Sequence, residues 1–577
     1  MEMNYGENEL HQLELELQTD IYPGTEIMDD VGGRHFVKSS GKTHRVLVPQ
    51  PSCDPHDPLV SVAPLIEREH PDTEQASQNW SPAWKASAIA LSTITTFAQA
   101  FGPLSIAPMF PALMKAFDAD LAGVVNFSGV LILCWGFSNF LWVPMQDSLG
   151  RRPVLLLSTA VCLAANLWRA LSQDYRSFMA ASVLNGIGAG PAEALEPAVI
   201  ADVMFLHERG GYNTLYFAVY FGAVQLGAII GGVMAGRVGW RSFFWLNVAL
   251  LGAVFVAQLF LFPETKWHRL HPRELATFET EPTAPTSETD KNRSPHHSEV
   301  GNDSNTVHGE KDVRQNTTDS DSDPYLCKGY PAKSQFKLWQ LSERPLRTVG
   351  FALWTPWKLF AFPIVELSAF IVSFSASMNL TVNFTQAQFF SVPPYNFSSE
   401  QVGYTNFAIL AGTGIGLLTN GKLSDWIAQR ATKRNKGIRE PEMRLPAMLP
   451  YVLIMLLSNF IIAFGYAKQW NWQSIVIVGY TCAGIQVAAI PAIASTYAVD
   501  SYKPVAGSLF VAITVNKNLW GYGYSKFITT WSLSAGWYPP IMLNMCLICF
   551  FCACAIPFYF YGKTFRKWTR NSSVHSM

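Results

Sequence analysis

Twelve long apolar segments, joined by shorter polar connections, constrain this chain more than any other feature of its sequence. A run of about 18 or more mostly apolar residues is long enough to cross the hydrocarbon core of a bilayer as a helix. Charged residues make up only 15% of the chain, against about 25% in soluble globular proteins. The sequence therefore predicts an all-α membrane protein with twelve transmembrane helices.

The apolar segments form two groups of six on either side of a polar middle region. Predicted spans 1 to 6 cover residues 84–114, 122–145, 153–171, 176–203, 210–236 and 240–262. Predicted spans 7 to 12 cover residues 358–388, 401–424, 444–467, 471–497, 506–529 and 536–561. We expect two six-helix halves, at 84–262 and 358–562, with a tail at 1–80, a linker at 263–357 and a second tail at 563–577.

The first tail and the linker are the polar parts of the chain. The linker is rich in Ser, Thr, Asp, Glu, Pro and His, and such a segment cannot bury enough apolar surface to fold. Residues 1–80 lack the apolar core of a secretory signal. We expect a disordered cytosolic tail and a flexible cytosolic tether between the halves.

Basic residues near the helix ends predict the orientation, because cytosolic loops of membrane proteins carry an excess of Lys and Arg. The connection before span 8, SVPPYNFSSEQVG, has none. The connection after span 8 and the C-terminal tail contain Arg430, Lys433, Arg434, Lys436, Arg439, Arg444, Lys563, Arg566, Lys567 and Arg570. This distribution places both termini and the linker in the cytosol. Four arginines fall on the predicted outer side: Arg169, Arg176, Arg237 and Arg241.

The stretch VPMQDSLGRRPVLLL puts three charges into a short cytosolic turn between spans 2 and 3. Gly150 permits the turn, and Arg151 and Arg152 anchor it in the cytosol. Asp147, at the end of span 2, can pair with an arginine or cap a neighbouring helix. A similar segment, GKLSDW, puts Asp425 at the end of span 8, before Arg430 and Arg434. Two such loops at equivalent places indicate an internal repeat, which is common among secondary transporters.

The turn DSLGRRP resembles the core of the loop signature of the major facilitator superfamily, Gly-x-x-x-Asp-Arg/Lys-x-Gly-Arg-Arg/Lys. Asp147, Gly150, Arg151 and Arg152 match it, while Val143 and Ser148 replace a Gly and a basic residue. The resemblance implies that this loop holds the halves together on the cytosolic side and takes part in conformational switching. It also implies transport by alternating access.

A narrower likeness concerns the segments LNGIGAGPAEALEPAVIADVMFLHERG and RNKGIREPEMRL. They resemble the fungal branch of the drug and polyamine proton-antiporter family, which includes polyamine and cation carriers and many exporters of secondary metabolites. Two positions depart from that family. Ser182 stands where an Arg is frequent in span 4, and Ala228 stands where span 5 usually has a Pro.

Ionisable residues at membrane depth are the candidate substrate or proton site, because a charge there is costly without water or a partner. Glu193 and Glu196 in span 4 are three residues apart and so share a helical face. We expect at least one to face the central cavity, with Lys517 of span 11 as partner. The alternative is a polar pair that only packs helices. Glu366 in span 7 fits a cavity role or a structural role equally well.

Other positions suggest close helix packing and glycosylation. In span 5, Gly222, Gly227, Gly231 and Gly232 form a small-residue face that favours close helix packing. Three sequons predict glycosylation of Asn396 in the outer loop and of Asn379 and Asn383 near the outer end of span 7. Four cysteines crowd span 12, and we expect them to pack as small apolar residues rather than to bind a metal: Cys546, Cys549, Cys552 and Cys554.

The leading function is a proton-coupled secondary active transporter that exports a secondary metabolite or drug-like compound. A polyamine or organic-cation uptake carrier is the alternative, and a receptor-like member that does not transport is a third. The sequence lacks a Walker-type phosphate loop and any hydrolase constellation at membrane depth, so we expect neither an ATP-driven pump nor an enzyme. The expected partners are a small organic substrate, protons and lipid, with no cofactor and no nucleic acid. We expect a monomer in the plasma membrane, with the vacuolar membrane as the alternative.

Overall fold

The computed structural model describes residues 26–27, 80–204, 206–266, 330–331, 333–337, 345–435, 438–502, 505–569 and 572. Most of the predicted tail at 1–80 and of the linker at 263–357, and the chain end beyond Ser572, lie outside these residues. Within the predicted linker, Lys333–Phe336 forms a 3-10 turn and Pro345–Leu359 forms a helix.

Every predicted span of the first half corresponds to a helix. A 3-10 turn at Ala107–Met109 and a short helix at Phe110–Phe117 follow span 1. Spans 1 to 3 are Pro82–Phe101, Leu121–Leu149 and Arg151–Leu171. Span 4 consists of Tyr175–Ala189 and Pro191–Val203, and spans 5 and 6 are Leu206–Arg237 and Trp240–Leu261.

The second half repeats the pattern. Spans 7 and 8 are Pro363–Phe390 and Ser399–Arg434. Span 9 begins with a 3-10 segment, Pro441–Met448, and continues as Leu449–Ala467. Span 10 begins with a π-helical segment, Ser474–Tyr480, and continues as Thr481–Ser501. Spans 11 and 12 are Ala506–Ala535 and Tyr538–Thr569.

Among the described residues, nine helices are long and apolar enough to cross a membrane. The other three predicted spans, 1, 4 and 11, fall outside those limits of length and composition. These three spans carry buried threonines, glutamates, a lysine and asparagines. Glu193, Glu196 and Asn518, three polar groups of the candidate site, are among these buried residues.

Span 4 is broken in its middle, at Gly190. A Cβ at this position would lie 2.2 Å from the Ser138 Oγ of span 2, so glycine lets the two helices approach closely. Pro191 then opens the second segment, where a missing backbone N–H costs nothing. Glu193 consequently lies in the first turn of this second segment.

The two halves meet mainly through spans 2 and 11 and spans 5 and 8. At the predicted outer end, Arg237 of span 5 forms an ion pair with Glu400 of span 8 at 2.5 Å. At the predicted cytosolic end, Val143 of span 2 packs with Val511 and Val515 of span 11. The halves are therefore in contact at both ends of a central space.

Two short strands connect distant parts of the chain. Glu26–Ile27 (β1) pairs antiparallel with Ile438–Arg439 (β2), which lies between spans 8 and 9. Glu26 stands opposite Arg439 and Ile27 opposite Ile438. A segment that precedes the first half is thus bound to the second half.

Candidate functional site

A central cavity of about 140 Å³ lies between the halves and is lined by residues of both. Its walls are largely apolar and aromatic, with Trp135, Tyr216 and Tyr220 on the side of the first half. Glu193, Asn379, Lys517 and Asn518 supply its main polar groups. Sites for drug-sized ligands have volumes of about 300–1,000 Å³, so this cavity is smaller than such sites.

Glu193 is the centre of a hydrogen-bonded cluster that joins the halves. The Lys517 Nζ of span 11 lies 2.5 Å from its Oε1, and the Tyr220 hydroxyl donates to the same oxygen at 2.5 Å. The Asn518 amide donates to the other oxygen at 3.2 Å. The Glu193 side chain is 5% exposed and that of Lys517 is 20% exposed. The pairing expected from the sequence between a span-4 glutamate and Lys517 is therefore present.

Glu196, one turn further along span 4, faces span 1 instead of the cavity. Its Oε2 accepts a hydrogen bond from Thr96 at 3.0 Å, and its Oε1 contacts the Thr93 hydroxyl. Thr93 also hydrogen-bonds the carbonyl of Ile89 at 2.8 Å. No basic side chain pairs with Glu196 among the described residues. The two glutamates, predicted to share a face, thus occupy different environments.

Both oxygens of Glu196 accept hydrogen bonds from threonine hydroxyls, and the side chain is buried with no basic partner among the described residues. Burial of a carboxyl without a positive partner disfavours its ionised form.

Two further polar groups lie at or next to the cavity. The Gln225 amide of span 5 donates at 3.0 Å to the side chain of Asn379 of span 7, which lines the cavity, so this contact also joins the halves. The indole N–H of Trp135, which is 2% exposed, has no acceptor among the described residues. A substrate can satisfy this donor. Glu366 lies in the first turn of span 7, away from the cavity lining.

Two of the predicted glycosylation sites lie inside a packed helix. Asn383 is 1% exposed and Asn379 lines the central cavity, both within Pro363–Phe390. A glycan needs an asparagine that is accessible outside the bilayer, so the structure argues against modification of these two. Asn396 is exposed in the connection between spans 7 and 8, and its glycosylation stays a prediction.

The loop between spans 2 and 3 forms a tight charge network. The Arg151 guanidinium binds the Asp147 carboxylate at 2.8 Å and that of Asp202, at the end of span 4, at 3.0 Å. Arg152 donates to the carbonyl of Leu259 at 2.7 Å. The loop residues predicted from the sequence therefore tie spans 2, 3, 4 and 6 together.

Glu264, just after span 6, completes this network and was missed in the sequence. Its two oxygens accept the backbone N–H groups of Arg151 and Arg152 at 2.8 and 3.1 Å, so it caps the start of span 3. Gly150 has a φ of 112°, and a Cβ there would lie 2.3 Å from the Glu264 carboxylate. Burial and the neighbouring Arg151 charge lower the pKa of Lys266, which donates to the carbonyl of Asp147.

The second half has an equivalent network at its predicted cytosolic end. Arg444, at the start of span 9, binds Asp425 at 3.0 Å and Asp500, at the end of span 10, at 2.7 Å. Asp425 thus pairs with Arg444 rather than with Arg430 or Arg434, which follow it in the sequence. The internal repeat extends from similar sequence to similar ion pairing.

The four glycines of span 5 differ in what they contact. A Cβ at Gly227 would lie 2.1 Å from the Phe101 carbonyl, and one at Gly231 would lie 2.9 Å from the Ser105 carbonyl, both in the first half. A Cβ at Gly232 would lie 2.6 Å from the Ser399 carbonyl of span 8. Gly222 has no neighbour closer than 3.8 Å. Close packing therefore applies to three of the four.

The sequence matches the description Major Facilitator Superfamily over residues 89–522, which is most of the chain. The chain belongs to the major facilitator superfamily. It is therefore a multi-pass membrane transporter rather than an enzyme.

Full-length relatives agree with this assignment. An uncharacterized MFS-type transporter of Schizosaccharomyces pombe is 26% identical over 91% of this chain and 88% of the relative. The efflux pump radE of Floropilus chiversii is 24% identical over 88% of this chain and 85% of the pump. Relatives of this superfamily in fungi thus cover both halves and the region between them.

The fold also matches a solved superfamily structure. The xylose transporter XylE from E. coli, in a partially occluded inward-open conformation, aligns with 83% of this chain and 98% of its own, with a TM-score of 0.52 and 13% identity. This likeness supports the twelve-helix fold of a major facilitator superfamily transporter.

Proposed function

We propose that the chain is a proton-coupled secondary active exporter of a small organic molecule, and that substrate and proton compete for Glu193. The observation that carries the proposal is the ion pair between Glu193 of span 4 and Lys517 of span 11. It lies in the central cavity and joins the two halves that alternating access must separate.

Protonation of Glu193 would remove the charge that holds Lys517. A 2.5 Å ion pair with both side chains largely buried is strongly weakened when one charge is lost, because the remaining ammonium is left without a counter-ion. The halves can then part at this level. A substrate with a positive or hydrogen-bond-donating group would displace Lys517 in the same way, so one carboxylate serves both ligands in turn.

Glu196 supplies the second element of the proposal, a stored proton. Glu196 is 1% exposed with no basic partner among the described residues, which favours a neutral carboxyl, whereas Glu193 faces an ammonium. Paired carboxyls in environments that favour opposite protonation states are a common basis for proton transfer. We propose that the proton passes between these residues, one helical turn apart, as the cavity changes its access.

The charge networks of Arg151 and Arg444 would control the rate of the conformational change between the two access states. Each network ties together the predicted cytosolic ends of several helices within one half. The outer contact between Arg237 and Glu400 holds the opposite end closed. Opening to the outside needs this contact to break while each half keeps its own cytosolic network.

Export can be tested in inverted plasma-membrane vesicles that contain the chain. With an acidic interior, an exporter that exchanges protons should accumulate its substrate from a panel of radiolabelled organic molecules that includes spermidine. Glu193→Gln and Glu196→Gln should each abolish accumulation driven by the proton gradient. Exchange of substrate at equal concentrations should persist in Glu196→Gln.

The matched control is Glu366→Gln, which removes a carboxylate outside the cavity lining and should transport at the normal rate. A double variant, Glu193→Gln with Glu196→Gln, that reaches the membrane and transports normally at every pH would contradict the proposal. Accumulation of label only in right-side-out vesicles with an acidic exterior would indicate uptake instead.

Organic-cation uptake is the second candidate, and one feature favours it. Glu193 lies beside Tyr220 and near Tyr216 and Trp135 in the cavity wall, and aromatic faces with a carboxylate attract organic cations. If spermidine is the labelled compound that accumulates, the Glu193→Gln variant should lose binding at every pH, because the cation loses its counter-charge.

A further inference from the structure

A groove of about 600 Å³ opens at the predicted cytosolic end of the second half, and it shares no lining residue with the central cavity. It lies between the last turns of span 8, the 3-10 segment Pro441–Met448 and the last turns of span 12. The described chain leaves this groove open to the surface, and the charge networks described above do not fill it.

Two arginines with no ion pair among the described residues line the groove. Arg430 and Arg434 are exposed and one helical turn apart on span 8, so their side chains lie on the same face. Arg430 also lies over the ring of Trp426, with 5.6 Å between its guanidinium carbon and the ring centre. The two guanidinium groups are therefore free to bind an anion together.

The acidic floor of the groove is already neutralised. Glu440 binds Lys563 at 3.0 Å and Arg566 at 2.6 Å, and Arg566 also binds Glu442 at 2.9 Å. The two carboxylates are thus matched by these two cations. The charges of Arg430 and Arg434 remain in excess, which favours an anionic ligand.

The groove also has an aromatic, exposed wall. Tyr559 and Phe560 of span 12 line the groove and are 42% and 71% exposed. They precede Lys563 by one turn, at the depth where interfacial aromatic residues occur. A ligand that fills the groove therefore needs an anionic end and an apolar end.

We propose that this groove binds one anionic phospholipid of the cytosolic leaflet, with its phosphate between Arg430 and Arg434 and its acyl chains against Phe560. Arginine is well suited to phosphate because its planar guanidinium donates two parallel hydrogen bonds. Basic pockets at the cytosolic ends of membrane helices are typical sites for anionic headgroups. The proposal is independent of the transported substrate and of proton coupling.

The test is binding of short-chain lipids to the purified full-length protein in detergent, followed by thermal unfolding. Dioctanoyl phosphatidylserine should raise the melting temperature in a saturable way, and dioctanoyl phosphatidylcholine should not. Arg430→Gln with Arg434→Gln should weaken this binding at least tenfold. Lysine at both positions keeps the charge but loses the planar fork, so it should weaken binding less.

The matched control is Lys567→Gln, which removes an exposed positive charge from the same end of span 12 but outside the groove lining. It should bind lipid as the unaltered chain does. Equal binding by the double Gln variant, with an unaltered melting temperature in the absence of lipid, would overturn the proposal. Inorganic phosphate that protects the protein as well as the lipid does would identify a soluble phosphate ligand and also overturn it.

Discussion

Arg151 of the first half and Arg444 of the second occupy equivalent positions at the predicted cytosolic ends of their halves. Arg151 begins the helix that follows the signature loop, Arg444 lies in the 3-10 segment that begins span 9, and each bridges two carboxylates of neighbouring helices. The carboxylates are Asp147, Asp202, Asp425 and Asp500. Because each network stays within its own half, it stiffens that half as a unit that can move against the other half.

The first prediction concerns Asp147. Asp147→Asn weakens the bond to Arg151, and we expect the transport rate to fall about tenfold, equivalent to about 1.4 kcal/mol in the barrier to switching. Substrate affinity in an equilibrium binding assay should change little, because Asp147 is remote from the cavity lining. Asp425→Asn should act in the same way through the repeat. A normal rate in both variants would exclude a switching role.

A second prediction concerns the cap that Glu264 provides. Glu264→Ala leaves two backbone N–H groups at the start of span 3 without their acceptor, and loss of a helix cap costs about 1 kcal/mol. We expect a lower melting temperature, with a smaller effect for Glu264→Gln, which keeps one acceptor oxygen. Gly150→Ala should destabilise at least as much, because it combines a strained φ with a clash against Glu264. Equal melting temperatures for all variants would be incompatible with a capping role.

A third prediction uses two glycines of span 5 as a matched pair. Gly232→Ala places a methyl group 2.6 Å from the Ser399 carbonyl and should push span 5 away from span 8 at the outer end. Overpacking of this kind costs about 1–3 kcal/mol. Gly222→Ala meets nothing closer than 3.8 Å and should have no effect.

The measurement for this pair is labelling of Ala376→Cys, in the cavity wall, by a membrane-impermeant maleimide in intact cells whose protein otherwise lacks cysteine. Labelling should increase with Gly232→Ala and stay unchanged with Gly222→Ala. The same labelling rate in both would show that the contact with Ser399 does not hold the outer end closed.

A fourth prediction distinguishes the sequons at Asn379, Asn383 and Asn396. The Asn396→Gln variant should lose no mass on treatment with an endoglycosidase, because Asn396 is exposed outside the helices and is the expected glycan site. Asn379→Gln and Asn383→Gln should leave the glycan mass unchanged, since both residues lie within span 7. A mass loss in either of the latter would mean that span 7 ends earlier than the structure indicates.

The twelve spans could be predicted because the length of an apolar run directly reflects the thickness of a bilayer. The pairing of Glu193 with Lys517 was also within reach, since a buried carboxylate needs a positive partner and few candidates exist at membrane depth. The capping role of Glu264 could not be predicted, because it depends on the end of span 6 meeting the start of span 3. A carboxylate just after span 6 was the only signal.

Arg169 shows the limit of arguments from loop charge. Its position near the outer end of span 3 made it an exception to the orientation rule. In the structure its side chain is buried, with the guanidinium carbon 5.1 Å and 4.7 Å from the ring centres of Phe178 and Phe244. Counting basic residues cannot distinguish such a buried arginine from a surface anchor, because the distinction depends on which helix faces meet.

The strand pair β1 and β2 has a consequence for biosynthesis. Glu26 and Ile27 are synthesised early, but their partners Ile438 and Arg439 follow only after eight spans have been made. A contact between residues so far apart in sequence cannot form while the first half is still being inserted. Protection of the Ile27 backbone amide from hydrogen exchange would therefore distinguish finished chains from those whose synthesis stopped within the first half.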